Sequence, residues 1–87
     1  MTGEPVILQV TYLDHCFDDT EKTLEEIQED PISPTICTII GYKTYENDEY
    51  LTISCERTNH NSSIDPYITY SNHITILKSA ITEIKKL

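Results

Sequence analysis

The clearest pattern in the sequence lies between residues 34 and 56, which read PTICTIIGYKTYENDEYLTISCE. Ile36, Thr38, Ile40 and Tyr42 alternate with Cys37, Ile39, Gly41 and Lys43, a period of two that is typical of β-strands, and Tyr50 to Cys55 repeat this alternation. The stretch between them, Glu46 to Glu49, consists of residues that favour turns. The pattern predicts a β-hairpin around which the rest of the chain is expected to pack.

The segment before the hairpin predicts one strand and one short helix. The first strand is expected from Pro5 to Tyr12, PVILQVTY. A short acidic helix or helical turn is expected at about residues 20–29, capped by Thr20 or by the pair Thr23 and Glu26. Leu24 and Ile27 of this helix are three residues apart, so they form a narrow apolar stripe that can hold it against the rest of the fold.

The segment after the hairpin predicts a loop, one further strand and a short final element. Residues 57–66 are rich in Asn, Ser, Asp and Pro and predict a loop. A strand follows over residues 67–77, with a possible bend at 71–73, and Lys78 to Ala80 form a single tight turn. The last residues, 81–87, fit either a helix, by their apolar spacing of three, or a final strand. Together the elements predict one all-β domain with a short helix.

Composition and charge restrict the function classes. The 87 residues allow one domain, and the formal net charge of −9 opposes direct binding to nucleic acid, which requires Lys and Arg. Cys16, Cys37 and Cys55 are odd in number and lack CxxC spacing, which predicts neither a disulfide framework nor a zinc site. The N-terminus has no basic region and too short an apolar run for a signal peptide or membrane span, so we expect a cytoplasmic protein.

The ending of the chain, ITILKSAITEIKKL, resembles the closing segment of Src-homology-3-type and Sm-like β-barrels. Together with VTYLDHC near the start and IIGY in the hairpin, it is similar to a group of uncharacterised small phage and prophage proteins. The residues that match are Tyr12, Asp14, His15, Gly41, Tyr42, Glu49, Lys78 and Ile81. The resemblance implies a five-stranded small barrel, with residues 81–87 as its final strand, and a phage origin. It implies no mechanism.

The acidic run is the first candidate site. Eight of the fifteen acids lie between Asp14 and Asp30, against one base, Lys22. Closely spaced carboxylates can imitate a phosphate backbone and so bind a host protein with a basic surface, although such runs more often serve only solubility. The predicted partner-binding face comprises Asp18, Asp19, Glu21, Glu25, Glu26, Glu29 and Asp30. On this reading the protein inhibits a host factor or an antiviral defence effector.

The tyrosines suggest a second function. Small barrels often form oligomers, and tyrosine side chains with a few bases can hold a nucleotide-like signalling molecule between subunits. The residues predicted to bind such a ligand are Tyr42, Lys43, Tyr45, Arg57, Tyr67, Tyr70 and Lys78. For any single tyrosine the alternative is ordinary packing in the core or an interface. Because the ligand would lie between subunits, this second function predicts a homo-oligomer.

The remaining candidates for chemistry are weak. Asp14, His15 and Cys16 are adjacent, and neighbouring residues of an extended chain point in opposite directions, so they cannot form a catalytic triad among themselves. The histidines lack metal-binding spacing, and the acidic run lacks the ligand pattern of an EF-hand. The sequence therefore predicts a non-enzymatic binding protein with no cofactor and no metal.

Overall fold

The chain folds into one antiparallel β-sheet of five strands with one short α-helix. The computed structural model describes residues 5–15, 19–62 and 64–87. The elements in chain order are β1 (Ile7–Asp14), α1 (Leu24–Glu29), β2 (Thr35–Glu46), β3 (Tyr50–His60), β4 (Tyr67–Leu77) and β5 (Ile81–Lys86). A 3₁₀ turn, Lys78–Ala80, joins β4 to β5, and the strand order across the sheet is β4-β3-β2-β1-β5.

The predicted central hairpin is confirmed. β2 and β3 pair antiparallel, and the turn between them is built on Asn47, whose side-chain oxygen accepts hydrogen bonds from the backbone N–H groups of Glu49 and Tyr50 at 2.8 and 2.7 Å. The backbone N–H of Asn47 also donates to the carbonyl oxygen of Tyr50. This Asx turn satisfies the backbone groups that the tight reversal would otherwise leave unpaired.

β2 changes its partner along its length. Residues Thr35 to Tyr42 pair with β1, whereas Tyr42 to Glu46 pair with β3, and the register shifts between Lys43 and Tyr45. Such a shift bends the strand and increases its local twist. Gly41 lies next to this transition, and a Cβ atom there would approach the carbonyl oxygen of Ser54 to 2.6 Å. The absence of a side chain at Gly41 therefore lets β2 and β3 come together.

The sheet has a small apolar core. Its buried apolar residues are Leu8, Val10, Leu51, Ile53 and Ile76, and the half-buried residues around them are Val6, Tyr12, Ile39, Ile74 and Ile81. In β1 the buried residues alternate with the more exposed Ile7 and Gln9, as the sequence pattern predicts. The first strand itself begins and ends two residues later than predicted, because its pairing with β2 continues to Asp14.

The helix forms as predicted but does not pack as predicted. Thr23 is the N-cap and forms a capping box with Glu26, the second of the two caps that the sequence offered. All six residues of α1 are exposed, including Leu24 at 71% and Ile27 at 41%. The prediction that these two residues hold the helix against the sheet is therefore wrong. A six-residue helix relies here on its cap instead of on burial.

The hairpin of β3 and β4 is longer than predicted. The expected loop at residues 57–66 is wrong in its first part, since β3 continues to His60 and pairs with β4 down to Tyr67. The predicted bend at 71–73 does not interrupt β4, although Asn72 has a φ of 58° in the left-handed region. Cross-strand side-chain contacts support the extension, including the stacked rings of His60 and Tyr67 at 4.5 Å.

The sheet is open between its two edge strands. β5 is a strand paired with β1, so the strand prediction for the final segment is confirmed over residues 81–86. β4 and β5 are the two ends of the strand order, and the pairings of the described residues do not close the sheet into a barrel. The molecule is elongated, with extents of 66 × 22 × 20 Å.

Substitution of Gly41 by Ala should destabilise the fold. The added Cβ would lie 2.6 Å from the Ser54 carbonyl oxygen and 2.7 Å from Cγ2 of Ile53, and neither can move without shifting β3. We expect a loss of about 1–3 kcal/mol in the free energy of unfolding, measured by urea denaturation. The control is Ile40→Ala on the same strand, whose side chain is 52% exposed. An equal loss in both variants would contradict this explanation.

Candidate functional site

The predicted acidic face lies on an exposed segment before β2. Six of its seven acids are described, and all six are exposed: Asp19, Glu21, Glu25, Glu26, Glu29 and Asp30. Asp18 lies outside the described residues. Glu26 differs from the others because its carboxylate takes part in the capping box, where it accepts from the backbone N–H and the hydroxyl of Thr23 at 3.4 and 3.1 Å. Glu26 thus has a structural role, and the other five acids form the candidate charged surface.

Apolar side chains accompany these carboxylates. Leu24 and Ile27 lie in α1, and Ile32 follows the helix with 44% of its surface exposed. Acids in the first turn of α1, Glu25 and Glu26, favour the helix because they complement its dipole. We define the acidic segment as residues 19–32. It combines exposed charge with exposed apolar area, which sequence analysis missed because the apolar stripe was assigned to packing.

The residues predicted to bind a ligand do not form one site. Tyr42 and Tyr70 meet edge to face with ring centroids 5.5 Å apart, and Arg57 is paired with Tyr70 across β3 and β4. Tyr67 lies farther along the hairpin, stacked on His60. Lys43, Tyr45 and Lys78 lie at the opposite end, around the turn that joins β2 to β3. The first group brings two tyrosine rings together, and Arg57 also lines a shallow pocket with His60 and Tyr67.

Lys43 and Lys78 both bind the carboxylate of Glu46. Glu46 lies 2.8 Å from the ammonium nitrogen of Lys78 and 3.1 Å from that of Lys43. Hydrogen bonds from Lys78 and then Lys43 lower the pKa of Glu46 below its ordinary value of 4.5. These three side chains tie the end of β2 to the turn after β4, where the backbone N–H of Lys78 also donates to the carbonyl oxygen of Glu49. Lys43 and Lys78 therefore have a structural partner already.

A chain of side-chain hydrogen bonds, which we call the polar relay, crosses the sheet next to the Tyr42–Tyr70 pair. Sequence analysis missed it. Ser54 is fully buried, and its hydroxyl is hydrogen bonded to Thr44 Oγ1 and to His73 Nδ1, each at 2.7 Å. A serine beside a histidine suggests a nucleophile, but burial of Ser54 closes it to a substrate. The relay satisfies a buried hydroxyl and ties three strands together. In the sequence, Ser54 is a single serine in a strand, and nothing distinguishes it from a serine that is exposed to solvent.

A shallow pocket lies where the end of β1 faces the end of β4. It has a volume of about 230 Å³, and its walls include Tyr12, Asp14, His15, Ile74 and Leu77. Burial, and then the neighbouring Cys37 and Asp14, raise the pKa of Tyr12, so its phenol stays protonated at neutral pH. Asp14 and His15 are thus near neighbours on the rim of one pocket. Cys16, the third member of the predicted cluster, lies outside the described residues.

Comparison of the chain with protein-family models, with curated proteins and with solved structures found no match. Within residues 5–15, 19–62 and 64–87, no group of three or more His, Cys, Asp or Glu side chains is placed to hold a metal ion. In the same ranges no helix has the length and hydropathy that crossing a membrane requires.

The contribution of Glu46 to stability should depend on pH. Because its folded pKa lies below 4.5, Glu46 stabilises the folded state above that pH, and this stabilisation disappears as the pH falls through the folded value. We expect Glu46→Gln to lower the melting temperature at pH 7 and to have little effect at a pH well below 4.5.

The control for Glu46 is the same substitution made in a background that carries Lys43→Met and Lys78→Met. Without its two cationic partners, Glu46 should no longer stabilise the folded state more than Gln does. In this background the melting temperatures with Glu46 and with Glu46→Gln should therefore be nearly equal at both pH values. The salt bridges are about one third exposed, so added salt should also reduce the effect at pH 7. A difference that persists in the background variant would show that another group is responsible.

Proposed function

We propose that this chain is a non-enzymatic binding protein whose acidic segment attaches to a basic surface on another protein. The observation that carries the proposal is the exposure of all six residues of α1. Its carboxylates are exposed together with Leu24 and Ile27, which contribute nothing to the core of the sheet. A surface that served solubility alone would need the charges but not exposed leucine and isoleucine side chains.

The chemistry of the segment fits a protein partner that normally binds nucleic acid or another polyanion. Carboxylates at close spacing attract Lys and Arg over a long range and raise the rate of encounter. The apolar side chains between them would then be buried on contact, which supplies binding energy that does not depend on salt. The partner would be a host factor or an antiviral effector with a basic groove.

The resemblance implies a phage origin, and inhibition of a host factor is an activity that suits a phage protein. We propose that the sheet is a variant of the Src-homology-3-type and Sm-like small barrels, in a protein of the host cytoplasm. The single 3₁₀ turn between β4 and β5, and the return of β5 to the edge of β1, support this relationship. A phage protein that blocks a defence effector has no need of an active site.

Charge reversal in the acidic segment should abolish partner binding. The variant Glu25→Lys, Glu29→Lys, Asp30→Lys leaves the capping pair Thr23 and Glu26 intact, so α1 should still form. With the tagged full chain as bait in a host lysate, we expect basic proteins retained by the wild type to be lost, with affinity reduced at least about tenfold.

The matched control for charge reversal changes the net charge equally at sites outside the segment. Asp48→Lys, Asp65→Lys, Glu83→Lys alters three exposed acids on other parts of the chain. Retention of the same partners by this control, together with their loss in the first variant, would assign binding to the segment. Equal loss in both variants would mean that only net charge matters and would contradict the proposal.

The aromatic pair favours a second candidate function, capture of a nucleotide-like signalling molecule. Tyr42 and Tyr70 present two rings at an angle of 66°, and Arg57 is the cross-strand partner of Tyr70. Tyrosine rings stack on bases, and an arginine can bind phosphate. Among the residues predicted for this function, these three combine paired tyrosine rings with an arginine, so the candidate site is the base of the β3–β4 hairpin.

Nucleotide capture can be tested by native mass spectrometry with AMP and a cyclic dinucleotide as probes. We expect the wild type to retain a probe and Tyr70→Ala to weaken its binding by about 5- to 150-fold, because one stacked ring is worth about 1–3 kcal/mol. The control is Tyr45→Ala, which removes a 55% exposed tyrosine beside the turn. Failure of the wild type to retain either probe would reject this second function for these ligand classes.

A further inference from the structure

The two edges of the sheet are protected to different degrees. Exposed edge strands bind other strands unless charge, proline or short length prevents it. β5 is short and carries Glu83, Lys85 and Lys86, so it has such protection. β4 has eleven residues, YITYSNHITIL, and contains no Asp, Glu, Lys, Arg or Pro. The unprotected edge of this sheet is therefore β4.

The distal half of β4 belongs to a two-stranded ribbon. Within the described residues, the pairing of β2 with β3 ends at Tyr42 and Ser54, and beyond that point β3 pairs with β4 alone. We define the arm as residues 56–71. An isolated hairpin is marginally stable in water. Tyr67 and Ile68, which point to opposite faces by strand alternation, are 55% and 45% exposed, so both faces of the arm carry apolar surface.

The accessible surface of the chain is larger than that of a compact monomer. It measures 6901 Å². A compact monomer of the same mass exposes about 5,200 Å². The radius of gyration is 18.4 Å, against about 12 Å for a compact chain of this length. The surplus, about 1,700 Å², exceeds the roughly 800 Å² that one partner buries in a standard interface.

The low charge of the arm favours a second copy of this chain as the molecule that binds its edge. The arm contains two acids, Glu56 and Asp65, and one base, Arg57, for a formal charge of −1, which leaves −8 on the rest of the molecule. Two copies would repel each other through most of their surface. The arm carries only −1 of this charge, so two copies that meet there repel each other weakly.

We propose that the distal edge of β4, Tyr67 to Ser71, pairs antiparallel with the same residues of a second copy about a twofold axis. Antiparallel pairing of identical strands is self-complementary, because each copy supplies both the donors and the acceptors. Asn72, with its φ of 58°, marks the inner end of this edge. The proposal uses no residue of the acidic segment and is independent of the function proposed for it.

The test is the mass of the full chain in solution. Native mass spectrometry and light scattering at roughly 100 μM, where complexes of micromolar affinity are populated, should give twice the chain mass of 10.0 kDa. Ile68→Lys and Ile68→Glu should each weaken dimerisation at least about tenfold, since each places two like charges across the interface. Circular dichroism checks that the variants remain folded.

A matched control and a rescue distinguish the arm from a general effect on stability. Ile84→Lys makes the same change on β5, at a side chain that is 48% exposed, compared with 45% for Ile68, and should leave the dimer intact. A mixture of Ile68→Lys and Ile68→Glu chains should form a heterodimer, because the opposite charges then lie on the same face of the paired strands, diagonally across the twofold axis at Thr69. A monomeric wild type, or a dimer that Ile68→Lys leaves unchanged, would overturn the proposal.

Hydrogen exchange of the wild type gives a readout that does not depend on any variant. Amides at the outer edge of residues 67–71 should exchange more slowly as the chain concentration rises, whereas amides of β5 should show no such dependence. Exchange at 67–71 that is independent of concentration, in a sample that is dimeric by mass, would place the interface elsewhere and overturn the proposal.

Discussion

The close approach of β2 and β3 at Gly41 is the constraint on which the sheet depends. β2 must leave β1 and join β3 within a few residues, and the space for a Cβ atom at Gly41 is taken by Ser54 and Ile53. Ile53 is fully buried in the core, and Ser54 anchors the polar relay on the other side of the strand. The backbone at Gly41 therefore contacts both a core side chain, Ile53, and the residue that anchors the hydrogen bonds, Ser54.

A small core has consequences for the rest of the molecule. Five buried apolar residues hold an 87-residue chain, so ion pairs and polar contacts tie the ends of its strands together. Glu46 joins Lys43 to Lys78, and Ser54 joins Thr44 to His73. Large parts of the chain, the acidic segment and the arm, remain outside this core. Those exposed parts are the ones that can meet other molecules.

The exposed parts differ in charge, and that difference suggests separate roles. The acidic segment carries a concentrated negative charge with apolar side chains between the carboxylates, which suits a basic partner. The arm is nearly neutral and presents an unprotected strand edge, which suits a second copy of the same chain. Because the two surfaces lie on different elements, binding at one leaves the other available. A dimer would display two acidic segments and so bind a repeated target more tightly.

The sequence by itself determined the elements whose signals are local. Alternation predicted the central hairpin and β1, the turn-favouring residues Glu46 to Glu49 predicted its reversal, and the Thr23–Glu26 pair was one of two candidate caps for α1. Only the tertiary structure decided which tyrosines meet, where Lys43 and Lys78 find Glu46, and that α1 stands apart from the sheet. It also converted the predicted loop at 57–60 into strand. These outcomes depend on contacts between residues far apart in the chain, which composition and periodicity do not encode.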